Sequence, residues 1–147
     1  MTDGFTVTRV FDAPRELVWE AWTTPEHFAR WWGTEAIEVP LDTVVMDVRP
    51  GGAITATMVF PDGNRMDWRG EYKLVDHPSR IEYWLSDGAP YAGLDPVVVT
   101  FTEVDGGTEL SLFQPRYGFT DEQMEATAAG YNAFFDSLEK VVASMHH

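Results

Sequence analysis

A chain of 147 residues, 44% of them hydrophobic and 14% aromatic, is the size of one domain with a sizeable core. Its formal net charge of −14, with no Lys/Arg cluster to offset it locally, argues against nucleic acid and anionic membrane surfaces as partners. Zero cysteines exclude a disulfide framework, a thiolate metal site and a cysteine nucleophile.

The first residues, Met1-Thr2-Asp3-Gly4-Phe5, lack the basic and apolar regions of a signal peptide. Phe5, Val7, Arg9 and Phe11 then alternate with Thr6, Thr8 and Val10 in a strand pattern that ends at Asp12-Ala13-Pro14, where a proline suits a first helical turn. From Arg15 to Trp22 the apolar residues Leu17, Val18, Ala21 and Trp22 follow helical spacing. Thr24-Pro25-Glu26 supplies an N-cap signal for a second short helix, which carries Phe28, Trp31 and Trp32 to Gly33. From Leu41 the period changes to 2, and turn residues separate short runs, the pattern of an antiparallel meander. Thr43 to Val48 is closed by Pro50-Gly51-Gly52, and Ala53 to Phe60 by Pro61-Asp62-Gly63-Asn64. Next, Met66, Trp68, Gly70, Tyr72 and Leu74 alternate with Asp67, Arg69, Glu71 and Lys73, a half-buried strand. After the His77-Pro78 turn come Ile81, Tyr83 and Leu85, the loop Asp87 to Pro96, the run Val97 to Val104, a turn at Asp105-Gly106-Gly107, and Thr108 to Phe113.

Thr120 to Met145 is the one long helical pattern. Apolar or small residues at Met124, Ala128, Tyr131, Phe135, Leu138, Val142 and Met145 make one continuous face. Thr120 with Gln123 forms a capping box, and Asp121 and Glu122 put negative charge at the positive end of the helix dipole. The order of elements predicts an α+β fold of one domain over residues 1–147. A seven-stranded curved antiparallel sheet wraps around the long C-terminal helix, with two short helices between strands 1 and 2. Such a grip leaves a wedge-shaped space beneath the long helix, an expected cavity of mostly apolar lining.

The same segments carry a resemblance. Asp12-Ala13-Pro14, Val18-Trp19, Trp22-Thr23-Thr24-Pro25, Trp31-Trp32-Gly33, Asp47-Val48-Arg49-Pro50-Gly51-Gly52, Pro61-Asp62-Gly63, Gly70-Glu71-Tyr72 and Gly107-Thr108-Glu109-Leu110 together resemble the activator of heat-shock-protein-90 ATPase homologue-like family. That family lies within the START-like, helix-grip (SRPBCC) superfamily. The resemblance implies the fold more than the function, because the superfamily includes lipid carriers, hormone receptors, allergens and polyketide cyclases. It also implies a chaperone as a further candidate partner. Direct stimulation of a chaperone ATPase is not expected, since the co-chaperone of that name has an additional N-terminal domain for which 147 residues leave no room. Where such proteins often have Gly-Trp in the last helix, this chain has Gly130-Tyr131, a smaller ring ending in a hydroxyl.

Trp31, Trp32, Trp68, Tyr83, Trp84, Tyr131, Phe134 and Phe135 are the aromatics able either to line a pocket or to fill a core. The candidate ligand-binding set is Trp31, Trp32, Met58, Trp68, Tyr83, Tyr131, Phe134 and Phe135. Gly130 costs the helix about 1 kcal/mol relative to alanine, so either room for a ligand or tight helix packing should offset it. His27 has a pKa range suited to proton transfer, but no partner is legible and a capping or surface role is the simpler reading. Arg116 and Tyr117 are placed to close over a polar ligand head or to sit at its rim, and His77 reads as turn chemistry. There is no G-x-S-x-G, H-E-x-x-H, phosphate-binding glycine loop or dinucleotide fingerprint. The reading is therefore a cytoplasmic protein without a membrane span, cofactor or metal, which holds a hydrophobic or aromatic small molecule between the C-terminal helix and the sheet. Alternatives are a cyclase- or dehydratase-like enzyme using the same cavity, with His27 or Tyr131 moving a proton, and a chaperone-associated interaction module.

Overall fold

The computed structural model describes residues 4–33, 37–88, 90–91 and 93–145; His146, His147 and Met1 to Asp3 lie outside them, as do two positions of the Asp87 to Pro96 loop. The chain runs β1 (Gly4–Phe11), α1 (Arg15–Thr23), α2 (Pro25–Trp31), β2 (Val45–Met46), β3 (Ala53–Val59), β4 (Arg65–Asp76), β5 (Arg80–Ser86), β6 (Val97–Val104), β7 (Gly107–Pro115) and α3 (Asp121–Ser144). All seven strands join one antiparallel sheet in the order β1-β7-β6-β5-β4-β3-β2. The first strand thus pairs with the last, Thr8 lying opposite Ser111.

The α+β architecture with two short helices between strands 1 and 2 is as the sequence predicts. One element differs: the run Thr43 to Val48 yields a single 3-10 turn at Leu41–Thr43 and only two strand residues, Val45 and Met46. Thr43 explains this, because its hydroxyl donates back to the Pro40 carbonyl at 2.7 Å and accepts from the Thr57 amide at 3.1 Å, which ties the backbone into a turn. Thr24 occupies the N-cap position of α2 with Pro25 following it, but its side chain makes no cap bond, and Pro14 is itself the N-cap residue of α1. At α3 both reciprocal bonds of the Thr120–Gln123 capping box are present, at 3.2 and 2.8 Å.

Inward positions of the strands carry the core: Val7 and Phe11, Ile54, Ala56 and Met58, Tyr72, Ile81 and Tyr83, Val99 and Phe101, Leu110 and Leu112 are all buried. The outward alternates Asp67, Arg69 and Lys73 are exposed. Two features interrupt regular pairing at the middle of the sheet. The β4–β5 register shifts between Tyr72 and Leu74, and at Gly70 a side chain would run into the Trp84 carbonyl oxygen, so the two strands approach as only glycine allows. Helix α3 lies against α2, β1 and α1, with Phe135 and Leu138 wholly buried. Arg9 of β1 clasps it from the edge, reaching Asp136 at 2.7 Å and Glu139 at 3.4 Å.

Candidate functional site

A partly open cavity lies between two layers. Trp22 of α1, Phe28 of α2 and Trp32 just beyond α2 form one wall; Met46, Ile54, Tyr72, Ile81, Tyr83 and Leu85, from β2 to β5, form the other. Its internal volume is about 20 Å³. The enclosed part holds about one water molecule, so an aromatic ligand needs its walls to part. One wall is held by few backbone pairs. β2 has two paired residues and lies at the sheet edge, and Met46 is a flexible, half-buried thioether side chain.

Polar atoms at this cavity fall into two groups. Tyr72 Oη and Trp22 Nε1 are buried and have no hydrogen-bond partner among the described residues. Tyr83, the direct cross-strand neighbour of Tyr72, lies instead beside a hydrogen-bonded relay. The amide of Gln114, buried in β7, donates through Nε2 to the Pro115 carbonyl at 3.0 Å, which turns Oε1 toward α3. Tyr131 Oη donates to that oxygen at 2.6 Å, and the Tyr83 phenol lies close enough to Tyr131 to feel it electrostatically. Burial pushes the ionisation of all three phenols well above the ordinary tyrosine range; for Tyr83 the neighbouring Tyr131 adds to this, and for Tyr72 the Asp47 carboxylate. They are neutral at any physiological pH. Among the described residues, no histidine, carboxylate, lysine or arginine lines the cavity.

The family profile described as "Activator of Hsp90 ATPase homolog 1-like protein" matches residues 12–143. The chain belongs to that family. Among solved structures, this Hsp90-ATPase-activator-like chain is 26% identical to a protein from Mycobacterium smegmatis, covering 96% of this chain and 91% of that one with a TM-score of 0.78. It is 25% identical to a protein from Chromobacterium violaceum, over 95% and 96% of the two chains, with a TM-score of 0.80. An AHSA1-like protein from Aeromonas hydrophila shares the fold at 24% identity, with a TM-score of 0.76 over 97% and 98% of the chains. No curated protein matches.

Within this family member the expected aromatic set divides. Trp32 and Tyr83 line the cavity. Tyr131 stands behind Tyr83 in the relay, and Phe134 backs Trp32 at a ring distance of 6.1 Å. Trp68 meets Trp32 edge-on at 5.6 Å, half-buried, with its indole nitrogen unpartnered among the described residues. Trp31 and Phe135 are core: the Trp31 indole donates to the Ala21 carbonyl at 2.9 Å, and Phe135 packs against Phe11 and Trp22. Met58 is buried and lies off the cavity wall. Trp84 faces outward, stacked on Tyr91 at 5.7 Å. The space expected beneath the long helix is therefore found beside it. α3 contributes no lining residue, because Phe135, Leu138, Val141 and Val142 fill the wedge under its C-terminal half.

Sequence reasoning missed Trp22, Phe28, Met46, Ile54, Tyr72, Ile81 and Leu85. Each sits correctly in an apolar periodicity, but periodicity marks the inward face and not which inward residue borders a void. His27 is half-buried with Nδ1 unpartnered among the described residues, and it is not on the cavity. His77 is exposed, edge-on to Trp19 and 4.0 Å from Glu16. Arg116 bonds the Phe119 carbonyl and Asp121, and Tyr117 donates to the Asp95 carbonyl at 2.8 Å, tying the approach to α3 onto the β5–β6 loop. At Gly130 an added Cβ would meet nothing within 4 Å, which removes tight packing as the reason for a glycine there. Among the described residues no helix is long and apolar enough to cross a membrane, and no acid or histidine cluster could hold a metal.

Proposed function

We propose that this chain binds a small hydrophobic or aromatic molecule in the cavity between α1–α2 and strands β2 to β5, which widens as the ligand enters. The observation that carries this reading is a wall of aromatic and aliphatic side chains around a partly open void, with a two-residue edge strand contributing to that wall. A filled core would be more stable than one that keeps such a void beside unpartnered polar atoms. The phenols, held neutral, and the lack of a cavity-lining base favour binding over a cyclase- or dehydratase-like proton transfer. A chaperone-docking surface has less support, since the exposed large apolar side chains lie apart: Val10 on β1, Leu94 in the β5–β6 loop, and Leu41 with Val45 near the β2 edge.

Thermal-shift and native mass-spectrometric screening against lipids, aromatics and polyketide-like compounds tests the proposal. At least one class should raise the melting temperature and appear as a one-to-one complex. Leu85→Trp, which adds an indole at a half-buried position of the cavity wall, should abolish both signals. Retention of binding in that variant, or silence across the whole panel with the wild-type chain, would overturn it.

A further inference from the structure

We propose that the β6–β7 turn is a site of covalent self-modification, at which Asp105 converts to isoaspartate through a succinimide closed by the Gly106 nitrogen. Asp-Gly occurs four times in the chain, at Asp3, Asp62, Asp87 and Asp105; Asp3 lies outside the described residues, and the fold sorts the other three. Glycine in second place leaves the attacking nitrogen unshielded by a side chain and its backbone free to turn. What differs is how far the reacting atoms are already held. At Asp62 both carboxylate oxygens are taken: Oδ1 accepts from the Asn64 amide at 3.0 Å and Oδ2 from the Asn64 side chain at 2.8 Å. The Gly63 nitrogen is taken as well, donating to the Phe60 carbonyl at 2.8 Å. At Asp87 the nitrogen is engaged, Gly88 donating to Ser86 Oγ at 3.2 Å. Asp105 and Gly106 are both exposed, and among the described residues neither the carboxylate nor the Gly106 amide has a hydrogen-bond or ion-pair partner. They form the entire link between β6, which ends at Val104, and β7, which begins at Gly107. Only the pairing of Val104 with Gly107 restrains the rotation that brings the Gly106 nitrogen to Asp105 Cγ.

The step needs no reactant but water. As the new N–Cγ bond forms, the Asp105 carboxyl in its acid form loses its hydroxyl, which leaves with the Gly106 amide proton as one water. Water then opens the ring, and opening at the α-carbonyl routes the main chain through Cβ and Cγ. The isoaspartyl form thus carries an extra methylene in the backbone of a tight turn. Its neighbours have little slack: at Gly107 a side chain would run into the Phe11 carbonyl oxygen, and the buried Thr108 hydroxyl donates to the Ala13 carbonyl at 2.8 Å. Conversion therefore loosens the end of the sheet where β1, β7 and β6 meet.

Ageing the folded chain in H₂¹⁸O at pH 6 and 37 °C tests this, read by proteolytic mapping with mass spectrometry, since each ring opening adds one ¹⁸O. Asp105 should take up label about tenfold faster than Asp62 and Asp87 and yield a separable isoaspartyl peptide. In denaturing guanidinium chloride the three should react at similar rates, which assigns the difference to the fold. Backbone hydrogen exchange at Val104, Gly107 and Thr108 should be faster in the aged chain than in the fresh one and unchanged in α3. Asp105→Glu, whose longer side chain closes only a slower six-membered ring, should stay unlabelled at the turn and keep its exchange pattern on ageing. Label at Asp62 or Asp87 as early as at Asp105 in the folded chain would overturn the proposal. So would a folded chain that stays unlabelled at Asp105 while the denatured one reacts there, or exchange that does not alter once Asp105 has converted.

Discussion

Gly130 is the residue whose local cost nothing nearby repays. It sits in the middle of a 24-residue helix with open space where its side chain would be. Gly130→Ala should therefore stabilise the protein by about 0.5–1 kcal/mol through helix propensity and reduced freedom of the unfolded chain. Equilibrium urea unfolding measures it, and a decrease would mean that an unseen neighbour occupies that space. Tyr131 behaves oppositely. Replacing it by Phe removes the only proton reaching Gln114 Oε1 in the relay and strands a buried amide oxygen, a loss of about 1–3 kcal/mol. The double change Tyr131→Phe with Gln114→Leu should recover part of that loss, which distinguishes a stranded polar group from a packing defect. Such pairs are the part of the site that the sequence conceals. Gln114 and Tyr131 are 17 positions apart on different elements, and no local rule connects them. Tyr72 was visible as an inward position of its strand but not as an unpartnered one.

At the level of elements, all three helix starts were legible, but only that of α3 rests on a side-chain cap bond. Thr120-Asp121-Glu122-Gln123 specifies the start of α3, and Thr120→Ala should destabilise the protein by about 1 kcal/mol in thermal unfolding. Thr24 matches the same preference yet makes no side-chain bond, so Thr24→Ala should cost much less. Comparing the two variants tests whether cap geometry or residue type governs. β2 shows the limit on the strand side. Alternation across Thr43 to Val48 reads as a full strand, but Thr43 hydrogen-bonds locally and only Val45 and Met46 pair with Thr55 and Ile54. Its amides should exchange with solvent far faster than those of β3, as a movable edge beside the cavity requires. Slow exchange throughout β2 would remove the widening that ligand entry calls for.

For the molecule as a whole, the buried phenols set the alkaline limit of stability. Tyr72 and Tyr83 stay protonated when folded and ionise near pH 10 when unfolded, so both states are alike below that pH and only the unfolded state gains charge above it. Each should withdraw about 1.4 kcal/mol of stability per pH unit above 10. Tyr117, raised to about 12 by burial and the Asp95 carboxylate, shifts in the same direction. Urea midpoints flat from pH 8 to 9.5 and falling steeply above 10, with phenolate absorbance appearing together with unfolding, are the expected record. The fold was legible at this scale because element order and apolar faces leave few ways to cover one sheet with one long helix. The closure of β1 onto β7 was not, since strand patterns carry no address. That closure has a consequence for synthesis. Thr8 and Ser111 meet across 103 residues; at a ribosome rate of about 5–20 residues per second, β1 waits roughly 5–20 seconds for its partner. Through that interval Phe5, Val7 and Phe11 lack their cover on the nascent chain, so the earliest strand of the sheet is among the last to be sheltered.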